Sequence, residues 1–366
     1  MKIICNRALL TAAIAGVSKA VTMRSAVPVL EGILVKAEGF NIILTGYDLE
    51  MGITTTIEAN VQEPGEVVLS AKLFGDMVRG INSDEVEITS NENNATSIRG
   101  GITEFDIMGM NAGDYPAMPT PGADETMSIS GEVLKEIIET TLFSVSQDDK
   151  KPAHTGELFS IEKDKLTVVA LDGYRLAIME KKITAQKEID IIIPAKTLGE
   201  VSKLITDDEQ MVNISANRRF IVFTAGDYTI ISRLIEGEFL DYKRVIPEGY
   251  KTKVVLDVRD FISSIERASL VITERLKNPL RILFDDKITI RCQTTLGKVV
   301  DELDAKIEGE AVEIGFNNRY LLDALRHSGC DKLVMEINGP LSPVKVLPDG
   351  GGDFVFLVLP VRFKND

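Results

Sequence analysis

The sequence predicts an α+β protein made of three similar domains of roughly 120 residues each. Three observations support this fold class. A helical pattern recurs at intervals of one third of the chain, a second amphipathic helix opens each third, and short alternating runs typical of strands lie between the helices. We therefore expect each domain to be a sheet covered on one face by a pair of helices.

The clearest repeat is a twelve-residue segment that recurs after 124 and then 123 residues. The copies are SAKLFGDMVRGI (70–81), PAKTLGEVSKLI (194–205) and NNRYLLDALRHS (317–328). Their apolar residues are Phe74, Met77 and Val78; Leu198, Val201 and Leu204; and Leu321, Ala324 and Leu325. This spacing predicts a helix with one buried face in every third.

A second helix is predicted at the start of each third, because a good N-cap residue precedes another apolar pattern there. The N-caps are Asn6, Ser130 and Asp257. The apolar positions are Leu9, Leu10 and Ile14; Val133, Leu134 and Ile138; and Phe261, Ile262 and Ile265. The six predicted helices span 6–20, 71–81, 131–146, 195–206, 258–270 and 317–328.

Strands are predicted where β-branched and apolar residues alternate. Examples are FNIILTGY, EVEITS, KLTVVAL, FIVFTA, YTIISRLI, KITIRC and DFVFLVLP. Two related turns, GDYPAMPTP (113–121) and FLDYKRVIP (239–247), end the first two copies. The predicted domains are therefore residues 1–121, 122–249 and 250–366.

Composition predicts a cytoplasmic protein without metal or cofactor. The two histidines, His154 and His327, offer little material for a metal or acid–base site, and the three cysteines are scattered and odd in number, as in a reducing compartment. The apolar residues 8–17 fall at helical spacing without the charged stem of a signal peptide. No other apolar stretch approaches the roughly 18 residues needed to cross a bilayer.

The formal net charge of −15 opposes DNA binding unless basic residues are segregated onto one surface. The repeated helix carries basic pairs seven residues apart, which point the same way from the helix. The pairs are Lys72 and Arg79, Lys196 and Lys203, and Arg319 and Arg326. The six predicted helices together carry +3, so the rest of the chain carries −18. The segregation is weak, because the predicted helix 131–146 is itself acidic, and solvated helix faces commonly carry such lysines and arginines as well. Weak basicity would suit non-specific contact with phosphates.

Motifs of the common enzyme classes are missing from the sequence. There is no G-x-x-x-x-G-K-[ST] phosphate loop, G-x-G-x-x-G fingerprint, H-E-x-x-H pair or G-x-S-x-G elbow. The glycine run 350–352 is typical of a turn, and the acidic cluster 207–209 of a solvated loop. A carboxylate-dependent hydrolase on a triplicated scaffold and an interaction protein unrelated to DNA remain the alternatives.

Four segments in order resemble the bacterial DNA polymerase III beta subunit, or beta sliding clamp, family. They are LDGYRLA (171–177), GEFLDYKRVIP (237–247), FNNRYLLDAL (316–325) and LVLPVRF (357–363). The resemblance runs along the whole chain. It implies a non-catalytic processivity factor whose two copies join head to tail as a ring of six DNA-clamp domains around duplex DNA. Implied partners are the replicative polymerase, the clamp loader, other polymerases and repair proteins.

The resemblance also implies three sets of site residues. At the dimer interface, Phe105 and Ile107 would meet Leu270 and Val271. A pocket for short partner peptides would contain His154, Gly173, Tyr174, Arg175, Leu176, Leu240, Arg244, Val245, Asn317, Tyr320, Ser342, Leu357, Leu359, Pro360, Val361 and Arg362. DNA contacts would come from Arg24, Lys72, Arg79, Lys150, Lys151, Lys196, Lys203, Arg259 and Arg267.

Two pocket positions depart from the family pattern. His154 stands where the family commonly has an aliphatic residue, and Leu240 where it commonly has a proline. A histidine in a pocket wall can alter peptide preference or introduce pH sensitivity. Asp148 and Asp149 lie beside the DNA candidates Lys150 and Lys151 and weaken that contact.

Overall fold

The computed structural model describes residues 1–119, 125–273 and 279–363. Six helices lie in these ranges: α1 Arg7–Val17, α2 Ala71–Gly80, α3 Gly131–Thr141, α4 Ala195–Leu204, α5 Val258–Ser269 and α6 Asn318–Arg326. Each matches one of the six predicted helices. The predicted domain limit at 121/122 lies outside the described residues.

The predicted N-caps are confirmed where the first helix of each third begins. Asn6 accepts hydrogen bonds from the amides of Ala8 and Leu9, and Asp257 accepts one from Asp260. Ser130 Oγ accepts a longer one, 3.4 Å, from Val133 N–H. These side chains satisfy amides that have no partner inside the helix, which fixes where each helix begins.

All six helices end earlier than predicted, and two of them, α1 and α3, end three or more residues early. Helix α1 gives way to a 3₁₀ turn over Ser18–Ala20, and α3 to one over Leu142–Ser144. At each end a hydroxyl bonds back to the preceding turn: Ser18 Oγ to Ile14 O at 2.5 Å and Thr141 Oγ to Ile137 O at 2.8 Å. Such back-bonding competes with continuation of the helix, and periodicity alone does not show it.

Strands fill the described segments between the helices. The first third contains β1 Lys2–Asn6, β2 Gly32–Glu38, β3 Asn41–Tyr47, β4 Met51–Glu58, β5 Asn60–Glu63, β6 Gly65–Ser70, β7 Glu85–Ser90, β8 Ala95–Gly100 and β9 Thr103–Met108. The second contains β10 Glu125–Ser130, β11 Gly156–Ile161, β12 Lys165–Leu171, β13 Arg175–Lys182, β14 Ile189–Pro194, β15 Met211–Ala216, β16 Phe220–Ala225 and β17 Tyr228–Arg233. The last contains β18 Thr252–Asp257, β19 Leu280–Phe284, β20 Ile288–Thr294, β21 Gly297–Leu303, β22 Lys306–Gly309, β23 Val312–Phe316, β24 Lys332–Ile337, β25 Val344–Pro348 and β26 Phe354–Val358.

The chain divides into two compact units, one of residues 1–134 and 196–234 and the other of 135–195 and 235–366. The first unit holds the sheets β5-β1-β7-β8-β9 and β10-β15-β16-β17-β4-β3-β2-β6. Helices α1 and α2 pack on each other and on strands of both sheets. Ile3, Leu10, Ile14, Phe74 and Val78 are buried there.

The second unit holds the sheets β14-β11-β12-β13-β26-β25-β24-β18-β22 and β21-β20-β19-β23. Helix α5 packs on α6, on β18 and on the β20–β21 hairpin. Phe261, Ile265, Leu321 and Leu325 form the buried stripe that the sequence predicted.

The long sheet in each unit joins strands from two sequence thirds. In the first unit β17 pairs with β4, and in the second unit β13 pairs with β26. The simple prediction of one sheet per third is therefore incomplete, because each third contributes strands to two sheets. The α+β class and the repeated pair of helices are confirmed.

The three cysteines are free, with Cys5 and Cys292 buried. In the described ranges no group of three or more His, Cys, Asp or Glu residues could hold a metal ion. No helix in the same ranges is long and apolar enough to cross a membrane.

Candidate partner-binding, interface and DNA-facing surfaces

A tight turn between β12 and β13 presents the middle of the predicted peptide pocket. Asp172 Oδ1 accepts hydrogen bonds from the amides of Tyr174 (2.8 Å) and Arg175 (3.0 Å). Gly173 has φ +91°, a left-handed conformation that glycine adopts without strain. The turn leaves the Tyr174 ring 60% exposed and stacked on the Tyr320 ring of α6, with centroids 5.7 Å apart.

Arg175 lies under this aromatic pair and is only 9% exposed. Its Nε donates to Asp172 Oδ2 at 3.0 Å, and its Nη1 donates to the Asp323 carboxylate on α6. The guanidinium carbon lies 4.8 Å from the centroid of the Tyr320 ring and 5.4 Å from that of Phe143. Burial, and then the Asp172 charge, raise the pKa of the Tyr320 hydroxyl. Arg175 is thus fixed by two carboxylates and two rings.

The floor beside this turn is apolar. Leu176 and Leu357, both predicted pocket residues, are buried on the adjacent strands β13 and β26. They belong to one cluster with Val169, Leu171 and Ile178, against which Leu158, Phe239, Tyr242, Ile246 and Val355 pack. The partly buried members of this cluster are apolar side chains of the kind that line peptide-binding sites.

The segment after β26, Leu359–Phe363, forms a C-terminal strap. Leu359 N–H donates to Tyr174 O at 2.9 Å, and Val361 N–H donates to Gly315 O on β23 at 2.8 Å. The Arg281 guanidinium carbon lies 4.3 Å from the centroid of the Phe363 ring. Leu359 and Pro360 are half-buried, whereas Val361 and Arg362 are exposed. The strap thereby brings four predicted pocket residues next to the turn.

The remaining predicted pocket residues have more varied surroundings. Leu240 and Val245 are exposed, and Arg244, 84% exposed, pairs with Asp241 at 2.8 Å. Asn317 caps α6 by accepting from Arg319 N–H at 3.0 Å. Ser342 is half-buried, and its amide donates to Gly339 O. No contact joins Asn317 or Ser342 to the turn, and the pocket as a whole stays a prediction.

His154 lies in the 3₁₀ turn Pro152–Thr155 and makes an edge-on contact with Phe239, with centroids 6.0 Å apart. It is half-buried rather than fully solvated. Burial, and then the nearby Lys151 charge, lower the pKa of His154, while Asp172 opposes this shift. Its imidazole is therefore mainly neutral at physiological pH.

Sequence reasoning missed Asp323 and Phe143, which hold Arg175 from distant parts of the chain. It also missed Gly315 and Phe363, which seat the strap. Asp172 had a local signal, because an Asp-Gly pair between two apolar runs is typical of a turn. The contacts of Asp323 and Phe143 with Arg175 join separate elements, so no local pattern indicates them.

The predicted DNA contacts fall into two groups by their ion pairs. Arg79 pairs with Asp76, Lys196 with Asp48, Lys203 with Glu200, and Arg267 with Asp301. Arg24, Lys72, Lys150, Lys151 and Arg259 are exposed, and within the described residues they form no ion pair. The net charge of +3 for the six predicted helices already subtracts Asp76 and Glu200. Asp48 and Asp301 lie outside those helices, so only these two carboxylates reduce the positive charge of the helices further.

The predicted dimer residues lie at two sheet edges. Phe105 and Ile107 occupy alternate, half-buried positions on β9, which pairs only with β8 among the described strands. Leu270, directly after α5, is 81% exposed, and Val271 is half-buried. Strand β21, against which α5 packs, likewise has only β20 as a described partner. Exposed edges of this kind are ready to pair with another chain.

Comparisons with known proteins match the whole described architecture. Models of the DNA polymerase III beta subunit match residues 1–119 (N-terminal domain), 128–241 (central domain) and 243–362 (C-terminal domain). The beta sliding clamp of Staphylococcus aureus is 33% identical over 356 residues, covering 94% of each chain, and that of Staphylococcus epidermidis is 32% identical over the same length.

Solved structures agree with these sequence relatives. The DNA polymerase sliding clamp of Bacillus subtilis superposes with a TM-score of 0.96 at 30% identity, covering 100% of both chains. The DNA polymerase III beta subunit of Thermotoga maritima superposes with a TM-score of 0.92 at 26% identity, covering 99% of this chain and 100% of that one. The chain belongs to the DNA polymerase III beta subunit family, the beta sliding clamps.

Proposed function

We propose that two copies of this chain join head to tail in a ring that encircles duplex DNA and tethers partner proteins through the pocket of the second unit. Family membership makes the chain a sliding clamp, the non-catalytic processivity subunit of the replicative DNA polymerase. The hydrolase and the DNA-unrelated alternatives are dropped on that ground. The proposed place of action is the cytoplasm, and the three domains keep their predicted limits of 1–121, 122–249 and 250–366.

The main support for the ring is that strands from two successive thirds pair at two places within the chain. Strands β9, β17 and β26 are each the last strand of their third, and β4, β13 and β21 each end the first antiparallel meander of theirs. β17 pairs with β4, and β26 pairs with β13. β9 is equivalent to β17 and β26, and β21 is equivalent to β4 and β13, but β9 and β21 each lack a second described partner. By this equivalence β9 of one copy would pair with β21 of another.

Side chains at the two internal junctions support the same pairing. In the first unit, the Tyr228 ring of β17 lies against α1 at Gly16, and its hydroxyl donates to Ala12 O at 3.3 Å. In the second unit, Phe356 of β26 meets Phe143, which directly follows α3, at 5.2 Å. By this equivalence Phe105 and Ile107 of β9 meet Leu270 and Val271 after α5. Two different edges in contact form a heterologous interface, which we propose closes after two copies.

The proposed DNA contact is non-specific. Lysine and arginine side chains contact phosphates, which carry no sequence information. Ion pairs neutralise Arg79, Lys196, Lys203 and Arg267, so each phosphate contact is weak. Weak contacts suit a protein that must slide, since retention then comes from the closed ring.

The proposed partners are the replicative polymerase, the clamp loader, other polymerases and repair proteins, all through short linear motifs. The apolar cluster around Leu176 and Leu357 would take the apolar side chains of such a motif. The exposed Arg244 and Arg362 at the rim would pair with acidic or carbonyl groups.

Solution mass and DNA topology test the ring. The wild-type protein should have twice the mass of the 40.2 kDa chain, and Phe105→Glu should reduce it to one chain, because a carboxylate cannot be buried in the apolar contact. Phe40→Glu is the matched control, since Phe40 is 83% exposed on the turn between β2 and β3 and belongs to neither edge strand. Its mass should not change.

Loaded onto nicked circular DNA by the clamp loader of the same genome, the wild-type protein should stay bound and should dissociate once the DNA is cut to a linear form. Equal retention on circular and linear DNA, or a wild-type mass of one chain, would refute the proposed ring.

A further inference from the structure

We propose that Asp323 of α6 is a positioning residue for the peptide pocket, because its carboxylate holds the Arg175 guanidinium against the rings that form the pocket wall. The inference rests on the proposed function of that pocket. Asp323 does not contact the peptide in this proposal and acts only through Arg175.

The first step is the cost of burying Arg175. A cation that is 9% exposed is stable in a folded protein only when it is paired and hydrogen-bonded. Two carboxylates supply this pairing. Asp172 belongs to the same turn, three residues before Arg175, whereas Asp323 comes from a helix 148 residues further along the chain. Asp323 is therefore the partner that sets the direction of the side chain relative to α6.

The second step is what the guanidinium touches. It lies over Tyr320, which is on the same helix as Asp323, and also near Phe143. Tyr320 in turn stacks on Tyr174, with an angle of 20° between the ring planes. Tyr174 O accepts from Leu359 N–H of the strap. A chain of contacts thus runs from Asp323 through Arg175 and the two tyrosines to the strap.

The third step is that α6 should stay folded without the Asp323 charge, so that a loss of this charge affects only the position of Arg175. α6 is also anchored by buried Leu321, Leu322 and Leu325, and Phe143 packs on Phe356 and stacks on His327. These contacts do not depend on the Asp323 charge. With Asp323→Asn the fold should persist, but Asp172 alone would draw Arg175 toward its own turn, and the Tyr174–Tyr320 stack would loosen.

The test compares Asp323→Asn and Asp323→Glu with Glu266→Gln. Glu266 forms an exposed ion pair with Arg326, which lies on α6 like Asp323. Glu266→Gln therefore removes a carboxylate that pairs with α6 but does not contact Arg175 or the two tyrosines. The peptide probe is the tightest binder among short overlapping peptides that tile the replicative polymerase subunit of the same genome. Fluorine NMR of fluorotyrosine-labelled protein, assigned by Tyr174→Phe and Tyr320→Phe, reports the stack without peptide.

We expect Asp323→Asn to weaken peptide binding by about tenfold, equivalent to about 1.4 kcal/mol, and to shift the Tyr174 and Tyr320 resonances. Asp323→Glu should restore part of the affinity, and Glu266→Gln should change neither readout. Unchanged resonances and unchanged affinity in Asp323→Asn would overturn the proposal while leaving the pocket intact. If no peptide binds the wild type, the pocket function fails, and the resonances alone decide whether Asp323 positions the wall.

Discussion

At the scale of single residues, Glu157 on β11 is a buried acid that neither the ring nor the pocket uses. It is fully buried, and within the described residues neither carboxyl oxygen has a hydrogen-bond partner. Thr141 lies nearby, but its hydroxyl donates to Ile137 O at 2.8 Å. Burial raises the pKa of Glu157 to about 8, and the nearby Thr141 hydroxyl opposes this shift only in part. The folded protein therefore holds a proton that the unfolded chain releases at a much lower pH.

Because the pKa of Glu157 is raised in the folded state, the free energy of unfolding should decrease as the pH rises. Between the unfolded pKa, about 4.3, and the folded value, the folded state binds the extra proton, so stability falls as pH rises through this window. We expect Glu157→Gln to raise the free energy of unfolding near pH 8.5 by about 1–2 kcal/mol, with a smaller gain near pH 5.5. Urea unfolding followed by circular dichroism measures both. Glu162→Gln, an exposed glutamate just after the same strand, is the control. Equal gains at both pH values would contradict the assignment.

Residue-level prediction from sequence succeeded where the signal was local. The N-caps Asn6 and Asp257 follow from neighbouring residues. It did not identify which basic residues are neutralised by ion pairs, since Lys196 pairs with Asp48, which is 148 residues away. The sequence count treated all basic residues on the helices alike, and pairing distinguishes Lys196 from Lys72.

At the scale of elements, the strap depends on the absence of a side chain at Gly315 of β23. A Cβ at this position would lie 2.3 Å from Val361 O and 2.9 Å from Phe363 Cε1. Such distances force the backbone of the strap to move, and overpacking of this kind costs about 1–3 kcal/mol. The strap can yield because Val361 and Arg362 are exposed, whereas β23 is held by β19.

We expect Gly315→Ala to displace the strap and to weaken peptide binding by more than about tenfold while the dimer mass stays the same. Fluorescence anisotropy with the polymerase-derived peptide measures the affinity, and light scattering measures the mass. Gly80→Ala is the control, because nothing lies within 4 Å of a Cβ built there. Unchanged affinity in Gly315→Ala would show that the strap does not line the pocket.

Element-level prediction from sequence was strong for helices and weaker for sheets. Apolar spacing identified all six described helices, because one buried face leaves a periodic pattern. Strands were recognisable individually, yet the pairings of β17 with β4 and of β13 with β26 have no local signature. Strand partners depend on long-range contacts, so the two-unit division could not be read from the repeat.

At the scale of the whole molecule, a chain with a net charge of −15 is proposed to encircle DNA, which is also negatively charged. The long-range field opposes approach of DNA to most surfaces, so only unneutralised cations of the proposed inner layer attract phosphates. In the proposed ring, the acidic remainder of the chain and the weakly basic helices would act together: direct binding would be weak, and topology would provide retention.

Lys72 and Lys196 occupy equivalent positions of the repeated helix. A comparison of their variants tests how much an unpaired and a paired lysine contribute to the attraction of DNA. Lys72 has no ion pair in the described structure, whereas Lys196 is paired with Asp48. A cation that displaces a phosphate counterion contributes about 0.9 to the slope of log K against log salt concentration. We expect Lys72→Gln to reduce that slope by nearly this amount for short linear duplex DNA, and Lys196→Gln to reduce it much less, because Lys196 must first leave its carboxylate.

Filter binding or anisotropy over a series of salt concentrations gives both slopes. Retention on closed circular DNA should remain the same in both variants, since neither lysine lies at the proposed interface and the closed ring, rather than the charge, prevents escape. Equal slope changes for the two lysines would show that the Asp48 pair is broken in solution. Rapid loss of Lys72→Gln from circular DNA would show that electrostatic attraction, and not closure of the ring, holds the protein on its substrate.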